Sequence, residues 1–128
     1  MDTNASFQTI YDSFALWLDE ILKEKLPDDV KAIHFNLYDD GDNTWSCEII
    51  GAPYFEEDDD DWACHEIFTS RNHPFMFHKQ CTWIEIEDLF KQILIAYLCD
   101  GAYANTLKLY LAVSMGFVDG DLYIIYQK

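Results

Sequence analysis

The chain has 128 residues, of which 50% are apolar and 16% are aromatic, and its formal net charge is −16. This length and composition predict one folded domain and exclude an intrinsically disordered chain, because disorder requires low hydrophobicity. The negative charge repels nucleic acid and anionic lipid, so neither is expected as a partner. The apolar stretches are too short to cross a bilayer and the N-terminus lacks the basic segment of a signal peptide, so we expect a cytoplasmic protein.

The first predicted element is a helix that begins at Asn4 or Ser6 and ends near Lys25. Apolar side chains recur along it at intervals of three and four residues, which places them on one face. Asn4 and Ser6 are both suitable N-cap residues, and Pro27 prevents the helix from continuing.

A β-hairpin is predicted next. Residues 32–38 and 44–50 alternate apolar and polar side chains, as strands with one buried face do. A two-residue loop in the linker 39–43 would mix the two faces, whereas a three-residue loop keeps both apolar rows together. We therefore expect the register that places Leu37 opposite Trp45, Phe35 opposite Cys47 and Ile33 opposite Ile49.

The middle of the chain predicts a third strand over residues 62–68 and a loop over residues 69–82. A second helix is expected over residues 84–98, because its apolar residues again recur at helical spacing and Gly101 follows as a stop signal. Residues 102–108 are expected to add a short helical turn.

The chain closes with a second predicted hairpin, formed by residues 111–117 and 122–126. Asp119 and Gly120 form a pair that favours a type I′ turn. This turn would pair Phe117 with Leu122, Met115 with Ile124 and Val113 with Tyr126. Gly116 in the middle of a strand indicates a bulge or the close approach of another backbone segment.

The order helix, hairpin, strand, helix, hairpin predicts an α+β domain rather than alternating strands and helices. We expect a mostly antiparallel five-stranded sheet with both long helices packed on one face.

The acidic residues are concentrated in the first half of the chain. Residues 1–66 contain 18 Asp and Glu and only three Lys, whereas residues 67–128 contain six acids and five basic residues. The densest segment, called here the acidic run, is Glu56, Glu57, Asp58, Asp59, Asp60 and Asp61. Such a field attracts a basic partner and accelerates its association. Asp39, Asp40 and Asp42 would add to it if both acidic turns lie on one side.

Large aromatic residues flank the acidic run, with Tyr54 and Phe55 before it and Trp62 after it. Acidic charge beside aromatic side chains is typical of protein interfaces, where aromatics anchor and charges steer. Trp62 is therefore a candidate partner anchor. The alternative is that these aromatics belong to the core and hold a solvated loop.

The sequence predicts neither an enzyme nor a cofactor. It lacks the glycine-rich phosphate-binding motifs and the GxSxG motif. The four cysteines have no CxxC spacing and are expected to be free, buried thiols. Cys64, His65, His78 and Cys81 could supply the ligands of a zinc site, but neighbouring strand residues such as Cys64 and His65 point to opposite faces and cannot easily share one ion. Cys64 with His65, and Cys81 with His78, could also form thiol–imidazole pairs. The acidic surroundings of Cys64 disfavour its thiolate. Residues 39–43 offer oxygen atoms for calcium without the spacing of an EF-hand.

Glu48 and Glu66 each interrupt a segment rich in apolar residues. One interpretation is an outward-facing strand position in contact with solvent. The second is a carboxylate displayed on the open face of the sheet for a partner's Lys or Arg. A third is a glycosidase-like pair of acid and base.

A resemblance to known proteins rests on three segments of the sequence: EIIG at 48–51, FEEDDDDWACHEIF at 55–68 and GFVDGDL at 116–122. They resemble small acidic bacterial immunity proteins of polymorphic-toxin and contact-dependent inhibition loci. The resemblance implies a non-catalytic protein that binds and neutralises a cognate toxin domain, and it transfers no catalytic residue. Because many such toxins are nucleases with a basic groove, the expected partner is a basic toxin domain. The alternative is a small cytoplasmic adaptor or scaffold, dimeric through the C-terminal hairpin.

Overall fold

The computed structural model describes residues 6–128. In chain order the elements are α1 (Phe7–Leu22), β1 (Ala32–Gly41), β2 (Thr44–Ala52), a 3₁₀ helix (Asp60–Cys64), β3 (Phe68–Thr69), β4 (Phe75–His78), α2 (Trp83–Asp100), α3 (Ala104–Leu107), β5 (Ala112–Phe117) and β6 (Tyr123–Gln127). The α+β class is therefore confirmed. Within the described residues, no helix is both long and apolar enough to cross a membrane.

The sheet has six strands and is mixed, so the prediction of a mostly antiparallel five-stranded sheet is wrong. Its order is β3-β2-β1-β5-β6, and β4 pairs with the same edge of β2 as β3 does. β1 and β5 are parallel. Adjacent parallel strands cannot be joined by a tight turn, and here the long connection through α2 brings the chain back to start β5 beside β1. Turn signals in the sequence do not reveal this pairing.

Both long helices pack on one face of the sheet. α1 buries five side chains there, with Phe14 in ring contact with Phe35 and Phe90. Ser6 caps α1 by accepting a hydrogen bond from the amide of Thr9, whereas Asn4, the other predicted cap, lies outside the described residues. α2 begins with a capping box formed by Thr82 and Glu85.

The β1–β2 hairpin has the predicted buried face but a different register. Leu37 lies opposite Cys47 rather than Trp45. The reason is the turn. Asp42 and Asn43 both have positive φ, 52° and 59°, and form a two-residue loop after Gly41, which pairs with Thr44. A bulge between Asp39 and Gly41 precedes this loop. A register change of two residues keeps every side chain on the same face.

The C-terminal hairpin agrees with the predicted register at one end only. Val113 pairs with Tyr126 as expected, but a bulge after it places Met115 opposite Tyr123. The turn is not Asp119–Gly120, because the amide of Gly120 donates to the carbonyl of Phe117 and closes a turn around residues 118 and 119. The close backbone approach predicted at Gly116 is confirmed, since an added Cβ would collide with the carbonyl oxygen of Asp121.

The predicted third strand and the loop after it are both misplaced. Trp62 and Cys64 belong to the 3₁₀ helix, and pairing with β2 starts only at Phe68. β4 lies within the segment predicted as a loop, because four residues are too few for their alternation to be distinctive. All four cysteines are free as expected, but Cys64 and Cys99 are exposed rather than buried. They lie at the ends of the 3₁₀ helix and α2, outside the core.

Candidate functional site

The acidic run belongs to a closed loop on the edge of the sheet. The chain leaves β2 after Ala52 and returns at Ile67, whose amide donates to the carbonyl of Gly51 over 2.9 Å. We call residues 53–66 the acidic loop. It contains seven acidic residues and no Lys or Arg. Because its two ends meet at the same point of β2, the loop is held as part of the domain.

Trp62 fastens the acidic loop to the sheet face opposite the helices. Its side chain is only 1% exposed and packs in a small second core with Ala32 and Ala52. The Trp62 ring lies 5.2 Å from that of Phe55 and 6.2 Å from that of His34, measured between centroids. A side chain so completely buried has no surface to offer a partner. Trp62 is therefore a packing residue in this structure, and the prediction of Trp62 as a partner anchor is corrected.

The carboxylates of the acidic run point the other way, since Glu56, Glu57 and Asp58 to Asp61 are all exposed. Asp59 also caps the 3₁₀ helix by accepting a hydrogen bond from the amide of Asp61 over 3.0 Å. Burial, and then the charges of Glu56, Asp59 and Asp61, raise the pKa of Tyr54. The ion pairs at Lys23, Lys25 and Arg71 lie outside the run. The loop thus presents a dense negative surface on a fixed base.

The second predicted acidic segment lies elsewhere. Asp39, Asp40 and Asp42 are exposed at the tip of the β1–β2 hairpin. The loop is fastened at the opposite end of this hairpin, where Ala32 pairs with Ala52. Eight residues of extended chain separate the two positions, or about 26 Å. A partner that touches both segments must span the hairpin.

Arg71 binds the carboxylates of both Glu48 and Glu66, the two acids whose role the sequence left open. Glu48 is 2% exposed and accepts hydrogen bonds from Arg71 Nε at 3.2 Å, Arg71 Nη2 at 2.7 Å and the Tyr38 hydroxyl at 2.9 Å. The same Nη2 donates to both carboxylate oxygens of Glu66, at 2.8 and 2.9 Å. Both acids therefore bind a cation of this chain, and Glu48 is neither solvated nor displayed.

The electrostatics of this cluster keep Glu48 ionised. Burial alone would raise the pKa of Glu48, but the hydrogen bonds from Arg71 and Tyr38 outweigh it and hold that pKa below its ordinary value. Burial, followed by the bond to Glu48, raises the pKa of Tyr38 to about 12. The cluster is thus a charged, hydrogen-bonded support beneath the loop.

A groove of about 430 Å³ separates the acidic loop from the turn between β5 and β6. His34, Asn36 and Tyr38, which alternate along β1 and so share one face of the sheet, line its floor. Asp60, Glu66, Asp119 and Asp121 stand in its walls, and the described residues that line it include no Lys or Arg. His34 is neutral, because burial lowers its pKa to about 4, and its Nδ1 lies 2.7 Å from Ser114 Oγ. The groove extends the negative surface onto the open face of the sheet.

The described residues Cys64, His65, His78 and Cys81 do not form a metal site. Within residues 6–128, no group of three or more His, Cys, Asp or Glu is arranged to hold a metal ion. His78 Nδ1 lies 3.0 Å from Thr44 Oγ1 and is engaged there. Burial, and then the charge of Glu85, raise the pKa of Cys81, which disfavours its thiolate.

The residue that sequence reasoning missed is Arg71. It is the sole arginine of a strongly acidic chain, which is the signal that could have drawn attention to it. The arrangement as a whole offers binding chemistry: a fixed anionic surface, an acidic groove and a buried support. Comparisons of the chain with protein-family profiles, with curated proteins and with solved structures gave no significant match.

Proposed function

We propose that this protein is a non-catalytic immunity-type inhibitor that binds a basic toxin domain through the acidic loop. The observation that carries the proposal is the loop itself. Seven acids without a Lys or Arg among them are held on a closed segment, in which Trp62 faces inward and the six carboxylates of the acidic run face outward. Like charges so close together destabilise the folded chain, and a basic partner is the ligand that relieves their repulsion.

Preorganisation makes the loop suited to tight binding. Trp62 and the hydrogen bond from Ile67 to Gly51 order the loop before any partner arrives. A surface that is already ordered loses less conformational entropy on association than a disordered acidic tail would. Long-range attraction then accelerates the encounter, and complementary charges select the partner.

A nuclease is the kind of toxin that this surface would suit. A nuclease presents a basic groove to the phosphates of nucleic acid. A row of fixed carboxylates imitates that phosphate field and can occupy the groove without being cleaved. The proposed action is therefore stoichiometric occlusion in the cytoplasm of the producing cell, with the exposed acids of the loop as contact residues.

The test is co-expression of the tagged chain with the C-terminal domain of the toxin gene adjacent to its own gene, followed by affinity capture and elution in rising salt. We expect one-to-one retention that is lost as ionic strength increases, together with protection of cells from the toxin domain. A soluble bait that is not retained by the folded chain refutes the proposal.

The second candidate, a dimeric adaptor, is favoured by one observation. Within the described residues β6 pairs only with β5, so its outer edge is available to another strand. Sedimentation velocity distinguishes the two candidates. A monomer that forms a one-to-one complex with the basic domain supports the inhibitor, whereas a stable dimer without such a partner supports the adaptor.

A further inference from the structure

Arg71 links two parts of the molecule that are separate in the sequence. It lies between β3 and β4, and its guanidinium binds Glu48 of β2 and Glu66 at the end of the acidic loop at the same time. Glu48 belongs to the sheet and Glu66 belongs to the loop. The guanidinium therefore joins the base of the loop to the strand beneath it.

The burial of Glu48 makes this link strong. An ionised carboxylate that is 2% exposed is stable only when a cation and hydrogen-bond donors compensate its lost hydration. Arg71 supplies two hydrogen-bond donors to Glu48, in the side-on geometry that favours arginine over lysine. Glu66 is then held against the sheet through the same Nη2 atom.

We infer that Arg71 is a positioning residue, which closes the acidic loop onto β2 and sets the direction in which its carboxylates face. Its importance for partner binding rests on the proposed function, whereas its effect on the loop does not. In Arg71→Ala, the change in net charge and the loss of the clamp act on the affinity for a basic partner in opposite directions. Replacing Arg71 with Ala makes the protein more acidic, which favours attraction of a basic partner, yet loss of the clamp weakens the complex.

The first test needs no partner and measures amide hydrogen exchange by NMR at pH 7. In Arg71→Ala and in Glu66→Gln, we expect the amide of Ile67 to exchange about tenfold faster or more, because the loop opens locally without unfolding the core. Amides in α2 should keep their wild-type rates. Arg71→Lys should restore part of the protection, since it keeps the charge and loses the fork of donors.

Glu57→Gln is the matched control for Glu66→Gln. Both variants remove one carboxylate from the acidic loop, but only Glu66 bonds to Arg71. Glu66→Gln also leaves the buried pair of Arg71 and Glu48 intact, so it tests the clamp even if Arg71→Ala fails to fold. Equal exchange rates in Glu66→Gln and Glu57→Gln overturn the inference.

The second test uses the toxin domain captured in the experiment above and measures its binding kinetics. For Arg71→Ala we expect an association rate no lower than that of the wild type and a dissociation rate about tenfold higher. Lys23→Ala, which removes an exposed cation just after the end of α1, should leave the dissociation rate unchanged. Equal effects of the two variants overturn the positioning role while the proposed function stands. A loop that opens in Arg71→Ala, in a chain that binds no toxin domain, supports the clamp and refutes the proposed function.

Discussion

The ring of Trp62 meets the ring of His34 edge to face, with centroids 6.2 Å apart and planes inclined by 84°. This contact joins the acidic loop to β1, because Trp62 follows the acidic run directly and His34 lies in the strand. The loop therefore rests on a neutral, buried imidazole rather than on a charged one. The stability of this part of the molecule depends on both rings.

Replacing Trp62 with Ala should destabilise the protein by about 3–5 kcal/mol, as truncation of a buried aromatic residue does. The change removes the centre of the second core, formed with Ala32, Ala52 and Ala63. Denaturant unfolding measures the effect. Trp83→Ala is the matched control, because Trp83 is 54% exposed, and we expect it to lower the free energy of unfolding by about 1 kcal/mol. Similar losses in the two variants would contradict the packing role of Trp62.

Acidification should reduce stability through His34. Its pKa is about 4 in the folded state, whereas the unfolded chain has the ordinary value of 6.5. Between pH 6.5 and 4, His34 is therefore protonated in the unfolded state but mostly neutral in the folded state. The free energy of unfolding falls as the pH decreases through this range. Between pH 7 and 5 the free energy of unfolding should drop by about 2 kcal/mol from this group.

The variant His34→Gln isolates that effect, since glutamine does not titrate in this range. The difference in unfolding free energy between the wild type and His34→Gln should shrink by the same amount from pH 7 to pH 5. Trp62, Ser114, Asn36 and Glu48 surround or influence the imidazole and are unchanged in both proteins. A difference that does not vary with pH would show that His34 titrates normally.

Neutralising the acidic run should slow association with the basic domain that is proposed above as the partner. In the triple variant Glu57→Gln, Asp58→Asn, Asp60→Asn we expect an association rate about tenfold lower at low salt and a flatter salt dependence, because long-range attraction is reduced. Stopped-flow fluorescence measures both quantities. Asp59 is left in place because it caps the 3₁₀ helix.

The matched control for this variant is Glu24→Gln, Asp29→Asn, Asp88→Asn. It removes the same number and kinds of exposed acid from outside the loop and so has the same net charge. It should retain most of the wild-type association rate. If the two triple variants slow association equally, total charge rather than the acidic loop determines the encounter.

Gly116→Ala should destabilise the C-terminal hairpin by about 1–3 kcal/mol, the range for overpacking. The new methyl group would collide with the carbonyl oxygen of Asp121, which belongs to the backbone and cannot turn away as a side chain can. Thermal unfolding measures the loss. A variant as stable as the wild type would indicate that residues 121 and 122 move apart at little cost.

The sequence by itself determined the features that depend on neighbouring residues. Apolar spacing located α1, α2 and the buried rows of β1 and β2, because helices and strands repeat within four residues. Gly116 within a predicted strand indicated the close approach of another backbone segment, which the structure identifies as Asp121. The position of the acidic run and the aromatic character of its borders could also be read directly.

The tertiary structure alone decided the features that join distant residues. It placed β5 parallel to β1, paired His34 with Ser114 80 positions away, and brought Arg71 to Glu48 across 23 positions. It also turned Trp62 inward while the neighbouring carboxylates face solvent. Short-range periodicity carries no information about such contacts, because they are selected by packing and charge compensation only when the whole chain has folded.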